Sequence, residues 1–295
     1  MRKSASRNGR ANKRRLRIYA NLAGIEVGDG FPTRLMAAIN VSPESFFAAS
    51  VARSHRVLAQ RVREATEAGA SFIDLGAMST APYRKGWIPA EEERRRLVAA
   101  VRVARAETHL PLSVDTQRAE VAAAALAAGA RIVNDVSGLA ADPEMADIAR
   151  QAEGVVLMAQ PTTRELRPTL VLVEQLLRAC LRRARQARIA TERIVLDPGI
   201  GFYRLASRPW FEVDLDILRH LQRFRRFGRP LLVGASRKSF LGKITGRDDP
   251  NERLPASLAA AAIAVLHGAS VIRAHDVAPT RDAVRVAEAV ARGLR

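Results

Sequence analysis

Residues 111–138 read PLSVDTQRAEVAAAALAAGARIVNDVSG, and the order of residue types in this stretch decides the fold. A short β-rich run, Leu112 to Val114, is followed by helix formers from Ala119 to Ala127 and, after Gly129, by a second β-rich run from Arg131 to Val133. Strand, helix and strand in such close succession predict a parallel βαβ unit, in which the helix carries the chain back to the starting end of the sheet. The glycine supplies the left-handed residue that ends the helix, and the same device recurs in Ala68-Gly69-Ala70 and His267-Gly268-Ala269.

Outward from this unit the pattern repeats. The β-rich runs are Leu35 to Ile39, Phe72 to Leu75, Leu112 to Val114, Arg131 to Val133, Val155 to Met158, Ile194 to Leu196, Leu231 to Val233 and Val271 to Ile272, eight in all. Helix-forming segments lie between them at His55 to Glu67, Glu91 to Glu107, Ala119 to Ala127, Leu170 to Gln186, Leu215 to Phe224 and Ala256 to Leu266. Eight such repeats predict an α/β protein, a (β/α)8 TIM barrel, which typically needs roughly 250 residues. An open doubly wound sheet is the alternative, but no Gly-rich dinucleotide fingerprint follows the first run. Of the 295 residues, 35–295 are assigned to the barrel and 1–34 to a basic N-terminal extension expected to be disordered.

Composition narrows the function classes. With 48% apolar and 26% charged residues the chain can bury a large core. No stretch reaches the roughly 18 apolar residues of a membrane span, and no apolar block follows Met1, so a cytoplasmic protein without a membrane partner is expected. The single cysteine, Cys180, permits no intrachain disulfide and is expected to be a buried structural thiol. His55, His109, His220, His267 and His275 lack the paired spacing of zinc ligands. The net charge of +18 raises the question of nucleic acid, yet eight Lys or Arg fall within residues 1–17 and the remaining arginines are mostly interleaved with Glu and Asp. That distribution argues for compositional bias over a nucleic-acid interface.

An enzyme on this fold keeps its chemistry at the C-terminal ends of the strands. Those positions are polar here: Asn40; Asp74 with Ser79 and Thr80; Asp115; Asn134 with Asp135; Asp197; Ser236-Arg237-Lys238; and Arg273 with His275 and Asp276. Singly, each has a structural reading as a cap, a turn former or a solvated rim charge. Gathered at one mouth they are costly unless a ligand satisfies them. Asp115, Asn134 and Asp197, with Lys238 opposite, suit the donor-rich edge of a flat heterocycle such as a pterin or purine. Arg273, His275, Thr80 and Ser79 suit a phosphate or diphosphate, and the Asn40 amide oxygen suits a divalent ion beside it.

The residues that carry these expectations resemble the dihydropteroate synthase family of the pterin-binding barrel superfamily. The similar motifs are Ile39-Asn40-Val41-Ser42-Pro43-Glu44-Ser45-Phe46, Ser113-Val114-Asp115-Thr116, Ile132-Val133-Asn134-Asp135-Val136-Ser137-Gly138, Leu196-Asp197-Pro198-Gly199-Ile200-Gly201-Phe202, Gly234-Ala235-Ser236-Arg237-Lys238-Ser239-Phe240 and Arg273-Ala274-His275-Asp276-Val277. The resemblance implies coupling of (7,8-dihydropterin-6-yl)methyl diphosphate to 4-aminobenzoate with release of pyrophosphate, for folate synthesis. It implies that Asp115, Asn134, Asp197 and Lys238 bind the pterin and that Asn40, Thr80, Arg273 and His275 handle the diphosphate, with Lys238, Arg273 and His275 the catalytic set. It further implies a Mg2+ cofactor, with Asn40 its protein ligand, and a homodimer.

Two loops depart from the family pattern. Where the family reads Gly-Glu-Ser-Thr-Arg-Pro-Gly, this chain reads Ala77-Met78-Ser79-Thr80-Ala81-Pro82-Tyr83, and the first loop runs Phe46-Phe47-Ala48-Ala49 without the usual Asp. Arg84 and Lys85 either replace the missing cation or extend the site toward a larger anionic arylamine, as in methanopterin-type cofactors. Two other functions use the same pocket: methyltetrahydrofolate-dependent methyl transfer to a corrinoid, and pterin binding without catalysis. The cations around Lys238 and Arg273 and the absence of an Asp-x-His-x-x-Gly motif weigh against the first. Anion-site residues beside the pterin residues weigh against the second.

Overall fold

The computed structural model describes residues 18–41, 54–78, 87–161, 169–204 and 208–292. A hairpin of β1 (Tyr19–Leu22) and β2 (Ile25–Gly28) precedes eight parallel strands: β3 (Arg34–Asn40), β4 (Phe72–Gly76), β5 (Leu112–Asp115), β6 (Ile132–Asp135), β7 (Gly154–Met158), β8 (Ile194–Asp197), β9 (Leu232–Val233) and β10 (Val271–Ala274). The sheet order is β8-β7-β6-β5-β4-β3-β10-β9. A parallel bridge between Leu196 and Leu231 joins β8 to the start of β9 and closes the barrel, as the eightfold repeat predicts.

Strand alternation divides the apolar residues into two cores. Leu35, Ala37, Ile39, Ile73, Leu75, Val114, Val133 and Leu157 point outward into the shell of helices. Met36, Phe72, Ile132, Val156, Val195, Leu232 and Val271 point inward and fill the lower barrel. The next inward positions along several strands are polar, namely Asp74, Ser113, Asn134, Asp197 and Arg273, so one barrel interior changes from apolar floor to ionic mouth within two residues of each strand.

The hairpin corrects the expectation of disorder for the last part of the extension. Ala20, Leu22 and Val27 are fully buried in the same cluster as the barrel-floor residues, and Leu22 reaches the backbone of Gly154. The open lower end of the barrel exposes apolar side chains, and an alternating strand pair covers them. Asp29 also anchors the hairpin: it accepts from Arg225 at 2.5 Å and from the Ile18 N–H at 3.2 Å. Residues 1–17 lie outside the described residues.

The helices are α1 (His55–Glu67), α2 (Ala90–Glu107), α3 (Ala119–Ala128), α4 (Met145–Gln151), α5 (Thr169–Gln186), α6 (Trp210–Arg219), α7 (Ser239–Thr245), α8 (Leu254–Leu266) and α9 (Val277–Arg292). Gly69, Gly129 and Gly268 take φ of +89°, +118° and +92°, the left-handed turns expected from the repeated Ala-Gly-Ala and His-Gly-Ala segments. The helix expected at Leu215 to Phe224 begins earlier, at Trp210 after Pro209, and gives way at His220 to a 3-10 segment, Leu221–Phe227. Its Trp-Phe-Glu-Val start has weak helical propensity, and the preceding proline sets the boundary instead. Cys180 is buried and unpaired as expected, with its thiol pushed up to about 11 by burial.

Candidate functional site

The ionic layer of the barrel is organised by Asp74, which is fully buried at the middle of β4. Its Oδ1 accepts from Ser113 Oγ at 2.6 Å, and its Oδ2 accepts from Arg273 Nε at 2.6 Å and Asn134 Nδ2 at 3.2 Å. Strands β4, β5, β6 and β10 are thus joined inside the barrel by one carboxylate. Arg273 extends the network upward, its Nη2 donating to Asp115 Oδ2 at 3.1 Å. Burial disfavours the Arg273 charge, but Asp74 and Asp115 more than offset this and hold the guanidinium protonated.

Asp115 is the outlet of that network. Its Oδ1 is buried and has no hydrogen-bond partner. Burial raises its pKa against the opposing pull of Arg273, and Asp74 adds to the rise. An unsatisfied carboxylate oxygen beside a guanidinium is expensive to maintain without a ligand that donates to it. Asn134 and Asp115 share a register step in neighbouring strands, so both end groups face the same space.

The opposite wall comes from β8 and the segment after β9. Burial raises the Asp197 pKa, opposed by Lys238 and by the Gly199 N–H, which donates to Asp197 Oδ1 at 2.7 Å. The following turn is pinned by Tyr203, whose hydroxyl reaches Ala159 O at 2.9 Å and Pro198 O at 3.0 Å. Lys238 crosses this turn: Nζ donates to Ile200 O and lies 4.9 Å from the Phe202 ring centroid. Burial lowers its pKa to about 8, against the support of Asp197 and Asp214. The ammonium therefore persists at neutral pH.

Asn40 and His275 form the remaining edge. Gly76 leaves room for Asn40, since a Cβ there would lie 3.4 Å from Asn40 Oδ1 and 3.7 Å from Asp115 Cβ. The His275 Nδ1 lies 3.1 Å from Ala38 O, so Nδ1 carries the proton. Burial, with Arg273 adding to it, lowers the His275 pKa to about 4, which makes the imidazole neutral.

Seven of the eight expected site residues, Asn40, Asp115, Asn134, Asp197, Lys238, Arg273 and His275, stand at the C-terminal mouth of the barrel, and Thr80, like Ser79, Arg84 and Lys85, lies outside the described residues. Other polar strand-end residues turn out to be structural. Asp135 accepts from the Ser137 and Leu139 N–H groups at 2.8 and 2.7 Å and so builds the turn after β6. Arg237 pairs with Asp276 through Nε and Nη2 at 2.7 and 2.8 Å, tying the start of α9 to the segment after β9. Asp74 was legible only as one more strand-end acid; that it bridges four strands required the register. Phe202 was legible as the end of the Leu196 to Phe202 motif, whereas Asp214 on α6 carried no sequence signal beyond an acid in an amphipathic helix.

Comparison with known proteins agrees with this geometry. The family described as "Pterin binding enzyme" matches residues 36–275. The chain is 35% identical to the dihydropteroate synthase of Synechocystis over 269 residues, which span 88% of this chain and 91% of that protein. It is 36% identical to the Escherichia coli K12 dihydropteroate synthase over 265 residues, 86% of this chain and 90% of that one. Among solved structures, the Xanthomonas albilineans dihydropteroate synthase with 4-aminobenzoic acid superposes with a TM-score of 0.82 at 35% identity, covering 94% of this chain and 99% of that one. The same enzyme in complex with 7,8-dihydropteroate gives 0.78 at 33% identity, covering 93% and 98%. The barrel, its ionic mouth and these similarities together place the chain in the dihydropteroate synthase family of pterin-binding enzymes.

Proposed function

We propose that this chain joins (7,8-dihydropterin-6-yl)methyl diphosphate to 4-aminobenzoate, releasing pyrophosphate, and that Asp115, Asn134, Asp197 and Lys238 hold the pterin. The observation that carries this reading is the buried, partnerless Oδ1 of Asp115 facing an ammonium across the mouth. A pterin presents amino and ring N–H donors on one edge and a carbonyl on the other, which is the polarity this pocket complements.

Arg273 and His275 then face the diphosphate. Arg273 commits Nε and Nη2 to carboxylates, and its Nη1 has no hydrogen-bond partner among the described residues, so that edge is the one offered to an anion. His275 is neutral in the free protein and becomes an anion ligand by taking a proton at Nε2 when phosphate arrives. Heterolysis of the carbon–oxygen bond leaves a delocalised pterin-methyl cation, which the arylamine nitrogen attacks before losing its proton. The protein need supply no nucleophile, only alignment and charge stabilisation.

A Mg2+ ion fits as a companion of the diphosphate. Among the described residues no three His, Cys, Asp or Glu converge on a cation, whereas Asn40, at the C-terminal end of β3, carries an amide oxygen that would add one neutral ligand to those of the substrate. When bound, the ion neutralises charge on the leaving pyrophosphate. A homodimer and a cytoplasmic location belong to the same reading. The dimer is supported by exposed Ile263 and Leu266 on α8 and Val286 and Val290 on α9, two helices that pack side by side.

The test is pyrophosphate release from the dihydropterin diphosphate with a panel of arylamines. Efficient turnover with free 4-aminobenzoate is expected. Turnover only with ribosylated, phosphorylated arylamines would replace the acceptor, and none with any arylamine would leave a pterin-binding protein.

A further inference from the structure

Asp214 stands on α6, outside the barrel, with a fully buried side chain. Its Oδ1 accepts the Gly201 N–H at 2.6 Å, and its Oδ2 is buried without a partner. Gly201 N–H and Ile200 C=O are the two ends of one peptide unit, and Lys238 Nζ donates to that same Ile200 oxygen. A trans peptide directs its N–H and C=O to opposite sides, so Asp214 and Lys238 grip it from either end. Gly201, at φ +90°, leaves no room for slack: a Cβ there would sit 2.7 Å from Lys238 Cδ.

From this relay we propose that Asp214 is a positioning residue, which holds Lys238 at the pterin edge and supports its charge through the Ile200–Gly201 peptide. The role rests on the reading of Lys238 as a pterin ligand. A carboxylate at the N–H end polarises the peptide and strengthens its carbonyl as an acceptor at the other end. It also acts directly as an anion behind the ammonium. The other groups facing Lys238 are Asp197 from β8, Asp115 from β5 and, with opposite sign, Arg273 from β10; Arg204 faces Asp214.

Burial pushes the Asp214 carboxyl up to about 6 and the Lys238 ammonium down to about 8. Between those values both ends of the relay are charged. Asp214→Asn keeps an oxygen for the Gly201 N–H and removes the charge, so Lys238 loses an anion and its pKa falls by about one unit. The loss of protonated Lys238 is then greatest on the alkaline side.

The chain has five lysines, Lys3, Lys13, Lys85, Lys238 and Lys243, so 15Nζ-lysine NMR resolves the group, with Lys238→Arg assigning its signal. The titration of Lys238 in the free protein is expected to move down in Asp214→Asn, and the basic limb of kcat/KM for the dihydropterin diphosphate is expected to move with it. Activity at alkaline pH should fall several-fold while activity near pH ~6.5, where Lys238 stays protonated in both proteins, changes little. Asp214→Glu, which restores the charge, should recover part of the shift. Should Asp214→Asn be too unstable to titrate, Asp214→Ser supplies an uncharged oxygen for the same comparison. An unmoved Lys238 titration, or a loss equal at every pH, overturns the relay. The ligand reading fails separately, if Lys238→Ala leaves the pterin KM unchanged.

Discussion

Arg273 Nε meets Asp74 Oδ2 at 2.6 Å beneath the mouth of the barrel, spanning β3, the strand that lies between their own. The pair ties the residue expected to face an anion to a fully buried carboxylate. Asp74 is fully buried, whereas the Arg273 side chain keeps 20% of its surface exposed, so the guanidinium has one anchored edge and one open edge. An arginine held this way is already oriented before any ligand arrives.

Asp74→Ala is expected to destabilise the fold by about 3 to 5 kcal/mol, because it strands a buried guanidinium and removes the acceptor of Ser113 and Asn134. Urea denaturation measures the loss. Asp74→Asn keeps the shape and should cost less in stability, yet both should raise the KM for the pterin substrate. A stability change without any KM change would detach Asp74 from the site.

His275 carries a pH signature. Its pKa is lowered from 6.5 to about 4, so the folded protein binds fewer protons than the unfolded chain between those values. Stability from this group is therefore present above pH 6.5 and lost as pH falls toward 4. A diphosphate at Nε2 reverses the shift, so ligand binding near pH ~6 should take up close to one proton. Calorimetry in buffers of different ionisation enthalpy reads the proton count, and His275→Asn should abolish it.

Gly201→Ala places a methyl group 2.7 Å from Lys238 Cδ at a backbone φ of +90°. The displaced ammonium should cost about tenfold or more in kcat/KM for the pterin substrate, with a stability loss of about 1 to 2 kcal/mol. Wild-type kinetics in a folded Gly201→Ala protein would contradict the placement of Lys238.

Leu22→Ala tests the barrel floor. Leu22 is fully buried against Gly154 and Ile132, so the substitution should lower stability by about 2 to 5 kcal/mol. The floor is at the opposite end from the mouth, and KM values should stay unchanged. Chemical denaturation and steady-state kinetics on the same preparation check both halves.

The amino-acid sequence by itself determined the barrel and the address of its site. The period of β-rich runs and closing glycines reports local backbone preference, which acts over a few residues and survives without knowledge of neighbours. The placement of seven expected site residues at the mouth was legible for the same reason: the end of a strand can be read from the strand. Only the tertiary structure decided which of those ends touch. Asp74 became the hub because register, not position in the chain, sets which inward side chains meet. His275 became neutral because burial and Arg273 act on it from outside its own segment. The hairpin at 19–28 became ordered because the open barrel end offered apolar surface to cover, and Asp214 gained a role because α6 folds back against the Ile200–Gly201 peptide. Each of these depends on contacts between distant segments, where the chemistry of a side chain is set by what surrounds it.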